Sequence, residues 1–204
     1  MTQHKIEAVI FDLGRVLVAI DNRQMVTKLF AHINPDDPQL VEKTMKSAMM
    51  IDLCLGQIDM PEVHRRMCRE GILTMSFQEF KECWQSIFYT MDGAKELLED
   101  LQGKVNLGLL SDTDPVHWAY ILKHWPWLAM IEQPTLSFEV GLMKPNPGIY
   151  HKAAENVNAP IGKCLFIDDL PVNVDGARAV GMHAVQFQNT EQIRRELRLF
   201  GILP

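Results

Sequence analysis

Four short segments carry the side chains that could do chemistry. In Ala8-Val9-Ile10-Phe11-Asp12-Leu13-Gly14 a carboxylate follows directly on a run of branched and aromatic residues, the composition of a buried strand. An acid at the exit of such a strand stands where open α/β sheets hold their ligands. Burying a charge is costly, so this acid implies a metal or another cation as partner; the competing reading is a loop Asp that caps the next helix. A second apolar run, Val105-Asn106-Leu107-Gly108-Leu109-Leu110, ends at Ser111-Asp112-Thr113. Gly141-Leu142-Met143-Lys144-Pro145 sets a lysine beside a proline ahead of a helix, and Cys164-Leu165-Phe166-Ile167 ends at Asp168-Asp169. Adjacent like charges on an apolar strand end are hard to explain without a cation. Lys144 as a solvated surface lysine and Asp168-Asp169 as a solvated acidic turn are the bland alternatives. Acid, hydroxyl, lysine and paired acids, in that order, are the parts needed to handle a phosphoryl group.

These parts need elements to hold them. The first strand spans about 8–11. From Asn22 to about Thr90 the pattern is helical with no comparable strand. Met25, Val26, Leu29 and Phe30 recur at helical spacing, as do Val63 and Met67, then Phe77, Phe80, Trp84, Ile87 and Phe88. Asn34-Pro35-Asp36-Asp37-Pro38 reads as a break, Asp59-Met60-Pro61-Glu62 as a helix start, and Met45-Lys46-Ser47-Ala48-Met49-Met50 as packing within the helical segment. After Met91 the texture alternates. Helices are expected near 92–101, 115–124, 147–156, 172–180 and 191–199, and strands near 105–110, 135–138, 164–167 and 184–187. Alternation of this kind implies a parallel sheet. The reading is therefore α/β: a Rossmann-like parallel core built from 1–18 and 91–204, split by an all-helical insert over 19–90.

Composition narrows the classes. A chain of 204 residues can bury one substantial core plus an insert. The formal charge of −6 and the lack of a Lys/Arg block argue against a nucleic-acid partner. No apolar run is long enough to span a bilayer and the first residues lack a secretory pattern, so a cytoplasmic location and no membrane partner are expected. Four cysteines (Cys54, Cys68, Cys83, Cys164) without a C-x-x-C pair read as reduced core thiols. Seven histidines without a ligand-spaced cluster make metal binding through His improbable. Trp118, Trp125 and Trp127 read as packing at the core edge or a dimer contact, and either a monomer or a homodimer is compatible with the chain.

The four segments, in their order and over nearly the whole length, resemble the haloacid dehalogenase-like (HAD) superfamily of phosphohydrolases. Asp12-Leu13-Gly14-Arg15-Val16 is similar to its sugar-1-phosphate phosphatase branch. The resemblance implies that the helical insert is a cap that closes over the site and selects substrate. It also implies Asp12 as the nucleophile that becomes an aspartyl-phosphate. Ser111 and the Asp112 backbone N–H would donate to phosphate, and Lys144 would neutralise nucleophile and phosphate together. Mg²⁺ would be held by Asp12, the Gly14 carbonyl, Asp168 and Asp169, with Asp168 the direct ligand and Asp169 acting at one remove. Asn173 either orients that loop or simply starts a helix. Arg15 either anchors a substrate oxyanion or faces solvent or cap.

One departure matters. Many family phosphatases carry a second Asp, the general acid and base, where this chain has Gly14. Gly14 cannot move a proton, and losing such a group costs on the order of 10²–10⁴ in rate. Three outcomes follow. The substrate is an anomeric or otherwise activated phosphate that needs little protonation; or Asp21, Asp112 or Asp114 substitutes; or turnover has been lost and the chain is a silent phospho-ligand binding module. A 2-haloacid dehalogenase, in which the same Asp attacks carbon, needs no metal and leaves Asp168 and Asp169 without a purpose.

Overall fold

The computed structural model describes residues 5–32 and 47–204. The chain opens with β1 (Ala8–Phe11), then β2 (Val18–Ile20). Among the described residues four helices follow: α1 (Arg23–Phe30), α2 (Ala48–Cys54), α3 (Met60–Arg69) and α4 (Phe77–Gln85). After β3 (Phe88–Thr90) come α5 (Ala94–Leu101), β4 (Asn106–Ser111), α6 (Pro115–His124), β5 (Thr135–Leu136) and the single turn α7 (Ser137–Val140). The chain ends with α8 (Pro147–Asn156), β6 (Cys164–Asp168), α9 (Pro171–Ala179), β7 (His183–Gln186) and α10 (Thr190–Leu199).

Five strands form one parallel sheet in the order β5-β4-β1-β6-β7. Successive strand residues face opposite sides, and here both sides are covered. Val9, Phe11, Leu109, Leu165 and Ile167 pack under α5, α6 and α10. Ala8, Ile10, Leu110, Cys164 and Phe166 pack under α8 and α9. This two-sided burial explains why the strands read as continuous apolar runs rather than as alternating ones. The helices between β2 and β3 bury a separate core, with Met25, Leu29, Leu53, Val63, Phe80 and Trp84 among its members. Their starts follow local chemistry. Asp59 caps α3 through the Glu62 N–H with Pro61 in the first turn, and Ser76 and Glu79 cap α4 reciprocally.

Three expectations need correction. The segment up to Thr90 is not strand-free: β3 pairs antiparallel with β2, Val18 opposite Thr90, at the foot of the helical insert. Three-residue strands carry too little pattern to be read from sequence. The strand expected at 135–138 stops at Leu136, because the Ser137 hydroxyl bonds the Thr113 backbone and the chain turns into α7, which ends at left-handed Gly141. The helix expected from 92 starts at Ala94, after left-handed Gly93. The break at Asn34–Pro38 and the residues Met45 and Lys46 lie outside the described residues; Met50 does pack in the insert core.

Candidate active site

The register of the sheet assembles the site. Phe11 pairs with Ile167 on one side and Leu109 on the other, so the next residues of three adjacent strands, Asp12, Asp168 and Leu110, stand level at the carboxyl edge. Here β1 is followed by a chain that moves to one side of the sheet and β6 by a chain that moves to the other. That divergence opens a crevice at the strand ends, the usual ligand position in such sheets.

Lys144 arrives from the loop before α8 with its side chain only 2% exposed. Its ammonium donates to Asp12 Oδ1 at 2.5 Å, to Asp168 Oδ2 at 2.8 Å and to the Leu110 carbonyl at 3.4 Å. The solvated-lysine reading is therefore wrong. Asp112 holds the same loop, its Oδ1 accepting the Lys144 backbone N–H at 3.0 Å. Asp168 is fully buried, and accepts from the Leu170 N–H at 2.8 Å and from the Asn173 amide at 3.1 and 3.0 Å. Asn173 thus orients Asp168 as well as starting α9. Tyr150 donates its hydroxyl to the Asn173 carbonyl at 2.9 Å and fixes that turn from behind. Ser111, buried, closes β4 beside Asp12.

Ligand atoms of Asp12, Asp168 and Asp169 lie within 4.8 Å of one another, the one group of this kind among the described residues. Burial pushes the Asp12 carboxyl up to about 7, with Lys144 pulling the other way and Asp168 adding to the rise. Burial likewise raises Asp112 and Asp169. The attraction of Asp12, Asp168 and Asp112 outweighs the burial of Lys144 and holds its ammonium protonated above the ordinary range. Four carboxylates thus share Lys144 and, at the rim, Arg15, whose guanidinium is 3.6 Å from Asp169 and 55% exposed. An excess of buried negative charge bounded by oxygen donors fits a hard divalent cation. An open cleft of about 630 Å³, lined by Arg15, Met91, Asp92, Asp169 and Phe187, reaches this rim.

A Cβ on Gly14 would come 2.7 Å from Ile20 Cδ1, the far end of a β2 side chain that would have to shift to admit it. Of the three substitutes considered, Asp21 is tied bidentately to Arg23, which lowers its pKa to about 2. Asp114 caps α6 and is bonded on all sides. Asp112 alone stays beside the site, and its Oδ1 is already engaged. Ile20 went unnoticed in the sequence, while Asp114 entered only as a candidate proton donor and Trp84 only as a packing residue, although Asp114-Pro115-Val116-His117 carries the mark of a helix start. Among the cysteines, Cys68 is exposed and Cys54 half-buried rather than core, and all four are free thiols.

Comparison with known proteins fits this site. A flavin mononucleotide hydrolase of Arabidopsis thaliana chloroplasts is 29% identical over 148 residues, 72% of this chain; the match spans 60% of that relative's length. The D-ribitol-5-phosphate phosphatase of Bacteroides thetaiotaomicron is 24% identical over 199 residues, covering 94% of this chain and 97% of the relative. The magnesium complex of a HAD family enzyme from B. thetaiotaomicron superposes with a TM-score of 0.84 at 22% identity, over 95% of this chain and 99% of that one; that likeness speaks to the fold. Among the described residues no helix is long and apolar enough to cross a membrane. The family model for haloacid dehalogenase-like hydrolases matches residues 6–181. The chain, an enzyme with an α/β core and a helical insert, belongs to the haloacid dehalogenase-like hydrolase family.

Proposed function

We propose that this enzyme is a Mg²⁺-dependent phosphomonoesterase that acts on a small phosphorylated metabolite through an aspartyl-phosphate on Asp12, with residues 19–90 as its cap. The observation that carries the reading is Lys144, buried and shared between Asp12 and Asp168 at the sheet edge. Asp12 would attack phosphorus with one carboxylate oxygen while the ester oxygen departs with the bonding pair. Water would then cleave the acyl phosphate and restore the carboxylate. Lys144 orients Asp12 and offsets charge on the phosphoryl oxygens. Ser111 and the Asp112 backbone N–H would donate to them. Asp12, Asp168, Asp169 and the Gly14 carbonyl would hold Mg²⁺, and Arg15 would steady an anionic substrate at the rim. When bound, the cation supplies further neutralisation of the phosphoryl charge.

Two substrate chemistries compete. The lack of a proton donor at Gly14 favours an anomeric or acyl phosphate whose leaving group needs little protonation. The substrates named for the two relatives, flavin mononucleotide and D-ribitol 5-phosphate, share a ribityl chain with a terminal phosphate. A panel of glucose 1-phosphate, acetyl phosphate, D-ribitol 5-phosphate and flavin mononucleotide ranks them by kcat/KM. Phosphate release that is abolished by chelator and by Asp12→Asn is the expected result. Ligand-dependent stabilisation without release supports the silent module instead, and halide release from a 2-haloacid indifferent to chelator supports the dehalogenase.

A further inference from the structure

The three residues after Ser111 each hold a different part of the molecule. Asp112 takes the Lys144 N–H. Thr113 exchanges two hydrogen bonds with the Ser137 hydroxyl, at 3.0 and 3.1 Å. Asp114, 1% exposed, reaches into the helical insert. Its Oδ1 caps α6 through the backbone N–H groups of Val116 and His117, at 2.8 and 3.0 Å. Its Oδ2 faces the indole N–H of Trp84 in α4 and His117 Nδ1, both at 3.0 Å.

His117 completes a ring of contacts. Its Nε2 lies 2.9 Å from the Trp84 carbonyl, its imidazole stacks on the Trp84 indole with centroids 4.8 Å apart, and Phe88 of β3 meets it edge-on at 4.7 Å. Both ring nitrogens face acceptor groups, a carboxylate and a carbonyl.

Capping α6 needs only Oδ1. The second oxygen is shared between the Trp84 indole N–H of the insert and His117 of α6, and a buried carboxylate persists only where such partners are present. The insert meets the core a second time next door. A Cβ on Gly56 would lie 2.2 Å from the Phe138 carbonyl oxygen, beside the Ser137 that holds Thr113. Both contacts therefore converge on the loop that carries Ser111.

We propose that Trp84, Asp114 and His117 form a clamp that fixes the insert over the Ser111 loop and so sets which substrates fit between insert and core. They are positioning residues, and the statement about substrate rests on the phosphatase reading. Asp114→Asn is the sharpest probe, because asparagine caps a helix as well as aspartate does but turns an amide toward two donors. Trp84→Phe removes the indole donor while keeping a stacked ring, and serves if the first variant does not fold. Two readouts are needed: hydrogen exchange of amides 77–85 against 106–111, and KM and kcat for D-ribitol 5-phosphate against acetyl phosphate, both with Mg²⁺.

Loss of a hydrogen bond to a buried charge should speed exchange in 77–85 by roughly tenfold or more and leave 106–111 unchanged. KM for the larger ester should rise by about tenfold, while kcat for acetyl phosphate stays within about twofold of the unmodified enzyme. Unchanged exchange in 77–85 overturns the clamp. An equal fall in kcat for both compounds overturns the selective role, since it locates the effect in the Ser111 loop itself. Unmodified enzyme that releases no phosphate from either compound overturns the phosphatase reading and with it the selection of substrate, and the exchange data still decide the clamp.

Discussion

Asp12 is held in a setting that opposes its own charge. Burial is the larger influence, and it leaves the carboxyl near 7 despite the Lys144 ammonium at 2.5 Å. The folded state therefore binds more protons at Asp12 than the unfolded chain does between about pH 4 and 7. Over that window the metal-free protein loses stability as pH rises. A cation needs the carboxylate form, so Mg²⁺ should raise the melting temperature more at pH 8 than at pH 5. Thermal melts at the two pH values, with Mg²⁺ and with chelator, test this. An equal shift at both, or one that survives Asp168→Asn, would place the ion elsewhere. Ile20 gives a second test at the same scale. Gly14→Asp alone forces a carboxylate against Ile20 Cδ1, whereas Gly14→Asp with Ile20→Ala makes room for a proton donor. The double variant should gain on alkyl phosphates by about tenfold or more over the single one, and not on acetyl phosphate, as kcat values for the two substrate classes would reveal.

At the scale of elements, short connections do the positioning. Gly56 follows α2 with a left-handed backbone, φ +69°, and has no room for a side chain against the Phe138 carbonyl. Gly56→Ala combines an unfavourable φ with a backbone clash, and should cost on the order of 1–3 kcal/mol. The measurement is a denaturant midpoint with an unchanged slope. Ser76 and Glu79 form the reciprocal cap of α4. Ser76→Ala should cost about 1 kcal/mol, seen chiefly as faster exchange in that helix; a loss spread evenly over the sheet would contradict the separateness of the two cores.

At the scale of the molecule, acid should loosen the insert. Burial raises the Asp114 carboxyl, but the His117 charge and the hydrogen bonds from His117 and Trp84 outweigh it and hold the group below the ordinary carboxylate range. A carboxyl depressed in the fold contributes stability that is complete above about pH 4 and is lost as pH falls through its native value. Exchange of amides 77–85, followed downward from pH 4, should therefore rise ahead of that in 106–111, and Asp114→Asn should remove the difference between the two regions.

Much of this was legible in the residues because it is local. A run such as Cys164–Ile167 followed by Asp168-Asp169 is read from adjacent positions, since a strand buried on both faces shows itself as continuous apolar sequence. The five sheet strands and the longer helices after Met91 were found that way, to within a few residues at their ends, while the single turn α7 was read as strand. Asp12, Ser111, Lys144 and Asp168 were read as a set from their order along the chain, and three of them stand at strand ends, which a parallel sheet gathers at one edge. What escaped was what depends on partners far apart in the chain. The pairing of β2 with β3 joins Val18 to Thr90, and Trp84 meets Asp114 across 30 positions. Lys144 buried between two carboxylates, Asn173 bonded to both oxygens of Asp168, and Ile20 lodged beside Gly14 are likewise facts of proximity. The sequence by itself determined the α/β class and the residues able to meet a phosphoryl group. Only the tertiary structure decided which of them touch, how their charges balance and how the insert is fastened, because periodicity is a local property and the distance between side chains is not.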